Sequence, residues 1–238
     1  MKIALIGYGK MGKAIEKIAL NKGHEIVLKI SIDNSHDLTI ENLQKADIAI
    51  EFTGPESAAH NLKLCFLAGT PVVCGSTGWL KYWDETLSFC NGKHGGLLYA
   101  SNFSIGVNLF FVLNNYLAIL MNNYEGYDVK LTEVHHTEKK DAPSGTAITL
   151  ANQILSHLKR KKTWVNHTAQ SLEELQIISE RTNPAPGTHK VKYSSLIDDI
   201  EIIHTAHNRN GFASGAVMAA EFLQGKQGIF TMKDVLGL

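Results

Sequence analysis

The stretch EVHHTEKKDAPSGTA, residues 133–147, places two adjacent histidines and a lysine pair just ahead of a Pro-Ser-Gly-Thr turn. Residues of these types can hold an anion and move a proton. Histidine titrates near neutrality, so it can give up or accept a proton at physiological pH. The turn reads as a helix start capped by Asp141 or Ser144, with Gly145 carrying no side chain to obstruct a ligand. The amides of Gly145 and Thr146, with the hydroxyls of Ser144 and Thr146, then make a neutral cradle for an anion. An ordinary N-cap, a strand-end histidine bonded to backbone and a solvated lysine fit the same letters. His135 and His136 end a run that alternates like a strand, so their side chains point to opposite faces, which argues against both chelating one metal. The chain has no CxxC or HExxH spacing, and no metal site is expected.

A second group of residues lies at the start of the chain. GYGKMG, residues 7–12, matches G-x-G-x-x-G between an apolar strand and a helix. In that setting Gly7 makes the tight turn, Gly9 lets the backbone approach a pyrophosphate, and Gly12 lets helix and strand pack closely. Tyr8, Lys10 and Met11 complete a loop whose helix-start amides face phosphate. An acid about 20 residues further on would take the ribose hydroxyls of NAD. Here LKISIDN puts Ser31 at that point and Asp33 two residues later, with Lys10 and Lys29 as the possible cationic helpers. Either NADH or NADPH is compatible with this run. Two more loops follow strand ends, CGSTGW and ASNFSIG. Gly75, Ser76 and Thr77, with Ala100, Ser101, Asn102 and Phe103, are placed to meet the far half of a cofactor. Turn chemistry alone, and core packing for Phe103, is the competing reading.

These residues need elements to position them. The first hundred residues alternate short apolar runs, KIALI, EIVLKI, DIAIEF, PVVCG and GLLYA, with helical segments over 11–21, 56–69 and 79–90. That rhythm predicts βαβ units and a parallel, Rossmann-type sheet covered on both faces. The rhythm changes at a long helix over 108–121. YDVKLTEVHH follows as a half-buried strand, then a helix over 144–159, a polar stretch of undefined structure, and the strands THKVKYSS and DIEIIHTA. Strands of this kind usually pair antiparallel with one face exposed. The chain is therefore read as α/β: a dinucleotide-binding domain of residues 1–104 and 211–238, and an α+β domain of residues 105–210. The second domain carries a mixed, largely open sheet. A helix over FASGAVMAAEFLQGK and the closing GIFTMKDVLGL are expected to return to the first domain.

The whole chain sets outer limits. Its 238 residues are 44% hydrophobic and 19% charged, with 23 basic residues balancing 23 acidic ones. No excess charge points to nucleic acid. The run IGVNLFFVLNNYLAILM is broken by Asn108, Asn114 and Asn115, short of the ~18 uninterrupted apolar residues of a membrane span. No membrane partner is expected. Cys65, Cys74 and Cys90 lack metal-site spacing and read as reduced thiols in a cytoplasmic protein.

With these residues in place, the chain resembles the 4-hydroxy-tetrahydrodipicolinate reductase (dihydrodipicolinate reductase) family nearly end to end. The resemblance is carried by GYGKMG, EFTGP, GSTG, ASNFSIGVN, EVHHTEKKDAPSGTA, FASGAVMAAEFL and MKDVLGL. It implies a two-domain homotetramer that uses NADH or NADPH to reduce a cyclic imine dicarboxylate in the diaminopimelate route to lysine. On the matching positions it implies His135 as proton donor and Lys139 as a second donor. It also implies that His136, Ser144, Gly145 and Thr146 hold the substrate carboxylates, with Lys140 left as a solvated charge. The chain departs from the family pattern in a glycine loop one residue shorter, in Ser31, in Thr205 where arginine is common, and in Asn183 and Thr188 where glycine and glutamate are common. The alternatives are another two-domain NAD(P)-dependent amino-acid dehydrogenase and a non-catalytic dinucleotide-sensing protein.

Overall fold

The structure, a computed structural model, describes residues 1–139, 141–208 and 210–238. The chain divides into two compact units, Met1–Ile105 with Asn210–Leu238, and Gly106–Arg209.

Unit 1 runs β1 (Lys2–Ile6), α1 (Lys10–Asn21), β2 (Glu25–Ile30), α2 (Ile40–Leu43), β3 (Ile48–Glu51), α3 (Ala58–Ala68), β4 (Val72–Cys74), α4 (Trp83–Gly92) and β5 (Gly96–Tyr99). The helix expected over 79–90 opens as a 3-10 turn, Leu80–Tyr82, before α4. The strands form one parallel sheet that the later β11 (Gly228–Phe230) completes, in the order β11-β5-β4-β3-β1-β2. Strand periodicity sends alternate side chains to opposite faces. Ile3, Leu5, Ile48 and Ile50 pack with Ile15 and Ala19 of α1 on one face. Ala4, Ile6, Ala49 and Val72 pack with Leu62, Cys65 and Phe66 of α3 on the other. Both faces are thus buried, as the near-continuous apolar strands require. Gly69 stops α3 in the left-handed conformation, φ 71°, as its place after the last apolar residue predicts. The three cysteines are free and buried.

Unit 2 begins with α5 (Ile105–Met121), one turn earlier than its apolar pattern suggests. Then come β6 (Asp128–His135), α6 (Gly145–His157), β7 (Thr163–Val165), β8 (Glu174–Arg181), β9 (Gly187–Ser194) and β10 (Asp199–Ala206). The sheet order is β10-β9-β6-β8-β7. Antiparallel pairing holds for β10-β9 and β9-β6, but β8 and β7 run parallel to β6. The polar stretch before β9 therefore holds two strands. Their direction follows from α6, which crosses from the end of β6 back to the start of β7, as a βαβ connection must. Val129, Leu131, Leu175, Ile177 and Val191 bury one sheet face beneath α5 and α6. The opposite face carries Lys130, Ile178, Glu201 and Ile203, all exposed or half-buried.

The chain then returns to unit 1 through α7 (Asn210–Leu223), β11 and α8 (Met232–Leu236). Among the described residues no helix is long and apolar enough to cross a membrane.

Candidate active site

In unit 1 the glycine loop lies at the carboxyl end of β1. Gly7 has φ +99°, and a Cβ there would sit 2.1 Å from the Phe52 carbonyl oxygen. A Cβ on Gly12 would sit 2.5 Å from the Gly7 carbonyl, so helix α1 closes on the turn only because both positions are glycine. A Cβ on Gly9 would meet no atom within 4 Å. Gly9 is therefore not required by packing, and its place at the N-cap of α1 suits an approaching pyrophosphate. The loop borders a cleft formed by two cavities of about 690 and 410 Å³, which share Gly9, Phe52, Thr53 and Gly54. The smaller cavity brings Lys10, Met11, Gly75, Ser76 and Thr77 together with Gly9. The larger takes in Gly7, Tyr8, Ser31 and Asp33. Size, glycine placement and helix-start amides all fit a dinucleotide.

The cleft is also lined by the strand end after β3, Phe52, Thr53 and Gly54, which lie outside the site residues expected from the sequence. Glu51 is fully buried and accepts from the Thr53 amide and hydroxyl. The Ser76 hydroxyl accepts from the same Thr53 amide at 2.8 Å, so Ser76 pins two strand-end loops together. The rule that ligands lie beyond the carboxyl ends of parallel strands would have flagged Thr53 and Gly54. Ala100, Ser101, Asn102 and Phe103 follow β5 and do not line these cavities. Asn102 Oδ1 accepts from the Ser104 amide, and the Phe103 ring lies in the core, 5.6 Å from Phe52. Any contact Phe103 makes with a cofactor must come from its backbone. At the far end, the Ser31 hydroxyl donates to Asn34, and Lys29 is held by Glu16 at 2.5 Å.

In unit 2 the histidine stretch becomes a three-dimensional cluster. The register of β6 sets Glu133 opposite His189 on β9 and Ser179 on β8, and sets His135 opposite Arg181. His204 on β10 is paired in turn with His189. Glu133 is fully buried; it accepts from the Ser144 amide at 3.1 Å and the Ser179 hydroxyl at 2.7 Å, with Arg181 at 3.4 Å. Burial pushes its carboxyl up, but hydrogen bonds from Ser144 and Ser179 and the nearby His135 outweigh that and hold it below the usual range. His135 is only 7% exposed. Burial pushes its imidazole below the ordinary value; Glu133 opposes the shift, and Lys139 and Arg181 reinforce it. Burial drives His189 down to about 3, so this ring is neutral at working pH. The two rings meet edge to face, with centroids 5.1 Å apart.

Ser144, not Asp141, caps α6: its hydroxyl accepts from the Ala147 amide at 3.2 Å. Asp141 instead holds Lys139 Nζ at 2.7 and 2.8 Å. Lys139 thus has a carboxylate partner two residues away, which a dicarboxylate must share or displace. Lys140 lies outside the described residues. The peptide bonds Ala142-Pro143 and Asn183-Pro184 are cis. Asn183, one of the family departures, accepts from the Thr137 amide and donates to its hydroxyl, joining the loops after β6 and β8. Thr188 and Thr205 hydrogen-bond each other at 3.3 Å across β9 and β10. They alternate with His189 and His204 and so occupy the opposite sheet face.

Two other chemistries are testable on this geometry. Ser144 Oγ lies 3.2 Å from His189 Nε2, but Glu133 lies 3.8 Å from that same nitrogen. An activated serine needs its carboxylate on the opposite ring nitrogen, so this is no nucleophile relay. Glu133, His135 and His189 place ligand atoms within 4.8 Å of one another, a spacing that suits a divalent ion. The residues grouped this way are not His135 with His136. The Arg181 guanidinium beside Glu133, with Lys139 acting on His135, opposes a cation there.

A parallel sheet with a glycine turn at its first strand, followed by a unit carrying a buried carboxylate and histidines beside a helix start, is the build of a dinucleotide-dependent oxidoreductase. The family model described as dihydrodipicolinate reductase, N-terminus, matches residues 1–103, and the C-terminus model of the same enzyme matches residues 106–236. The chain belongs to the dihydrodipicolinate reductase family. It is 50% identical to the 4-hydroxy-tetrahydrodipicolinate reductase of Christiangramia forsetii, over 99% of this chain and 98% of that protein. The reductase of Neisseria meningitidis serogroup A is 34% identical over 94% of this chain and 84% of its own length. Among solved structures, a dipicolinate-bound dihydrodipicolinate reductase from Paenisporosarcina sp. TG-14 shares the fold with a TM-score of 0.76. It is 23% identical and covers 97% of each chain.

Proposed function

We propose that the chain reduces 4-hydroxy-tetrahydrodipicolinate to tetrahydrodipicolinate in lysine biosynthesis, using NADH or NADPH, in the cytoplasm. Membership of the reductase family over both halves of the chain carries the reading. Residues 1–104 and 211–238 bind the dinucleotide; residues 105–210 bind the dicarboxylate and form the oligomer.

The 4-hydroxyl leaves as water to give the conjugated cyclic imine, and a bound NADH or NADPH would supply hydride to an electron-poor carbon of it. Negative charge builds on the rest of the conjugated system, so a proton must arrive as the hydride does. His135, buried at the end of β6, donates that proton, and Lys139 acts as a second donor. His136, Ser144, Gly145 and Thr146 hold the carboxylates at the start of α6, where the positive end of the helix dipole favours negative charge. The decisive assay couples a synthase that generates the substrate to this chain and follows loss of reduced-cofactor absorbance. No loss with either cofactor would refute the reading.

The same assay compares the cofactors. Ser31 is occupied by Asn34, Lys29 by Glu16, and Asp33 stands exposed at the cleft rim. The expected acid position at the end of β2 is Ser31, and no free cation for a 2′-phosphate is on this run. Both cofactors are expected to work, with a ratio of kcat/KM below about tenfold, or ~1.4 kcal/mol. A lone Asp33 tilts that ratio toward NADH. A hundredfold preference either way would contradict this account of residues 29–34.

The chain is also proposed to be a homotetramer. The sheet face opposite α5 and α6 presents Ile178 and Ile203 beside Lys190, Lys192 and Glu201. Light scattering at micromolar concentration should give about four times the chain mass. A fully active monomer would exclude it.

A further inference from the structure

Glu133 is an expensive residue at its position. Val129 and Leu131, on the same face of β6, are apolar core, and a third apolar side chain would continue the pattern. A buried carboxylate is destabilising through lost hydration unless its neighbours offset that loss. Two of its neighbours, Ser144 and His135, belong to the proposed site. The Ser144 amide that opens the carboxylate cradle donates to both Glu133 oxygens, each at 3.1 Å. Nδ1 of His135 lies 3.5 Å from Glu133 Oε2 and has no hydrogen-bond partner among the described residues. The other nitrogen, Nε2, faces Gly187, where a Cβ would stand 3.2 Å away. Gly187 has φ +154°, and glycine there leaves that side of the ring unobstructed.

We infer that Glu133 is a positioning residue for the reaction: its carboxylate orients His135 through Nδ1 and ties that ring to the amide that begins the cradle. This rests on His135 being the proton donor. A proton on Nδ1 aimed at Glu133 leaves Nε2 as the nitrogen that meets the substrate. When both nitrogens are protonated, Glu133 is the counter-charge that sustains the imidazolium. Among the described residues, the other charged or titratable groups facing His135 are Lys139 and Asp141 from the following loop, Arg181 from β8 and His189 from β9, with His204 behind His189. Of these, Asp141 is the other acid, and it is paired to Lys139.

The test uses Glu133→Gln, which keeps shape and an oxygen for the Ser144 amide, and Glu133→Asp, which keeps charge but retracts it. Nitrogen-15 histidine spectra of the unliganded enzyme read the His135 tautomer without any turnover. The wild type is expected to carry its proton on Nδ1, and Glu133→Gln to lose that preference. In steady state, Glu133→Gln should lower kcat at least about tenfold and move its pH limb to lower pH, with NADH affinity unchanged. Glu133→Asp should recover part of the loss. In a His135→Gln background, Glu133→Gln should cost little more, because the two act as one unit. An unchanged tautomer, an unmoved limb or a fully additive double variant would overturn the inference. A tautomer that responds as expected while His135→Gln keeps its turnover would uphold the positioning and overturn the proton-donor reading instead.

Discussion

His135→Gln is expected to lower kcat by about 10²- to 10⁴-fold, the usual worth of a positioned acid, while leaving NADH affinity nearly unchanged. The ring is buried beside Glu133 at the end of β6, and glutamine matches its polarity without titrating. The pH profile should separate this from a packing defect. The donor is the imidazolium, so kcat falls as pH rises through the His135 pKa. Burial holds that pKa below the ordinary imidazole value of about 6.5 in the free protein. A bound dicarboxylate adds negative charge and moves it back up, so the limb in kcat should lie at higher pH than the limb in kcat/KM. His135→Gln should erase the limb. Lys139→Ala should also cut turnover, whereas changes at His136 or Thr146 should chiefly raise KM, because carboxylate contacts exist before hydride moves. Near-native turnover of His135→Gln from pH 6 to 8 would move the proton donation to Lys139 or water.

Gly7→Ala and Gly9→Ala should fail differently. At Gly7 the backbone conformation is left-handed, and a Cβ would collide with the backbone of Phe52 at 2.1 and 2.5 Å. A carbonyl at the end of the sheet cannot rotate away as a side chain can. Strain of this kind costs about 1–3 kcal/mol, so Gly7→Ala should unfold at lower temperature and bind NADH at least about tenfold more weakly. Gly9 has no atom within 4 Å of an added Cβ. Gly9→Ala should therefore keep wild-type thermal stability and still lose NADH affinity, because the methyl stands where the pyrophosphate approaches. Fluorescence titration and thermal unfolding of the two variants decide the matter. If Gly9→Ala bound NADH normally, the helix start would not be the phosphate site.

What could be read from the letters depended on how local the physics was. Five of the six strands of unit 1 follow from apolar runs and glycine stops, each visible within about ten residues, whereas β11 was expected only as part of a returning segment. Strands β7 and β8 were not visible, because TWV is three residues long and ELQIISER mixes charge with apolar residues. The parallel direction of both strands depends on the α6 crossover, not on their composition. The candidate site divides the same way. The histidines and the helix start are contiguous in sequence, while Ser179, Arg181, His189 and His204 join them only through strand register. Glu133 stood inside the quoted stretch, yet its burial, and so its importance, came from partners 46 and 48 residues away. The substitutions at Thr188 and Thr205 read as two separate departures in sequence. In the sheet they are one hydrogen-bonded pair across β9 and β10.

Unit 1 is written in two pieces around unit 2, and its sheet closes only when β11 pairs with β5. On a ribosome adding about 5–20 residues per second, residues 106–209 are finished before the first unit has all its parts. Until residues 210–238 emerge, β5 is an unpaired edge, and Leu5, Ile50, Val73 and Leu98 lack the cover that α7 brings. Unpaired edges and bare apolar faces invite association with other chains. The later unit therefore completes first, and the earlier one is sealed afterwards by residues 210–238. For the nascent chain, the hazard of aggregation is concentrated in the interval between residue 105 and the arrival of α7.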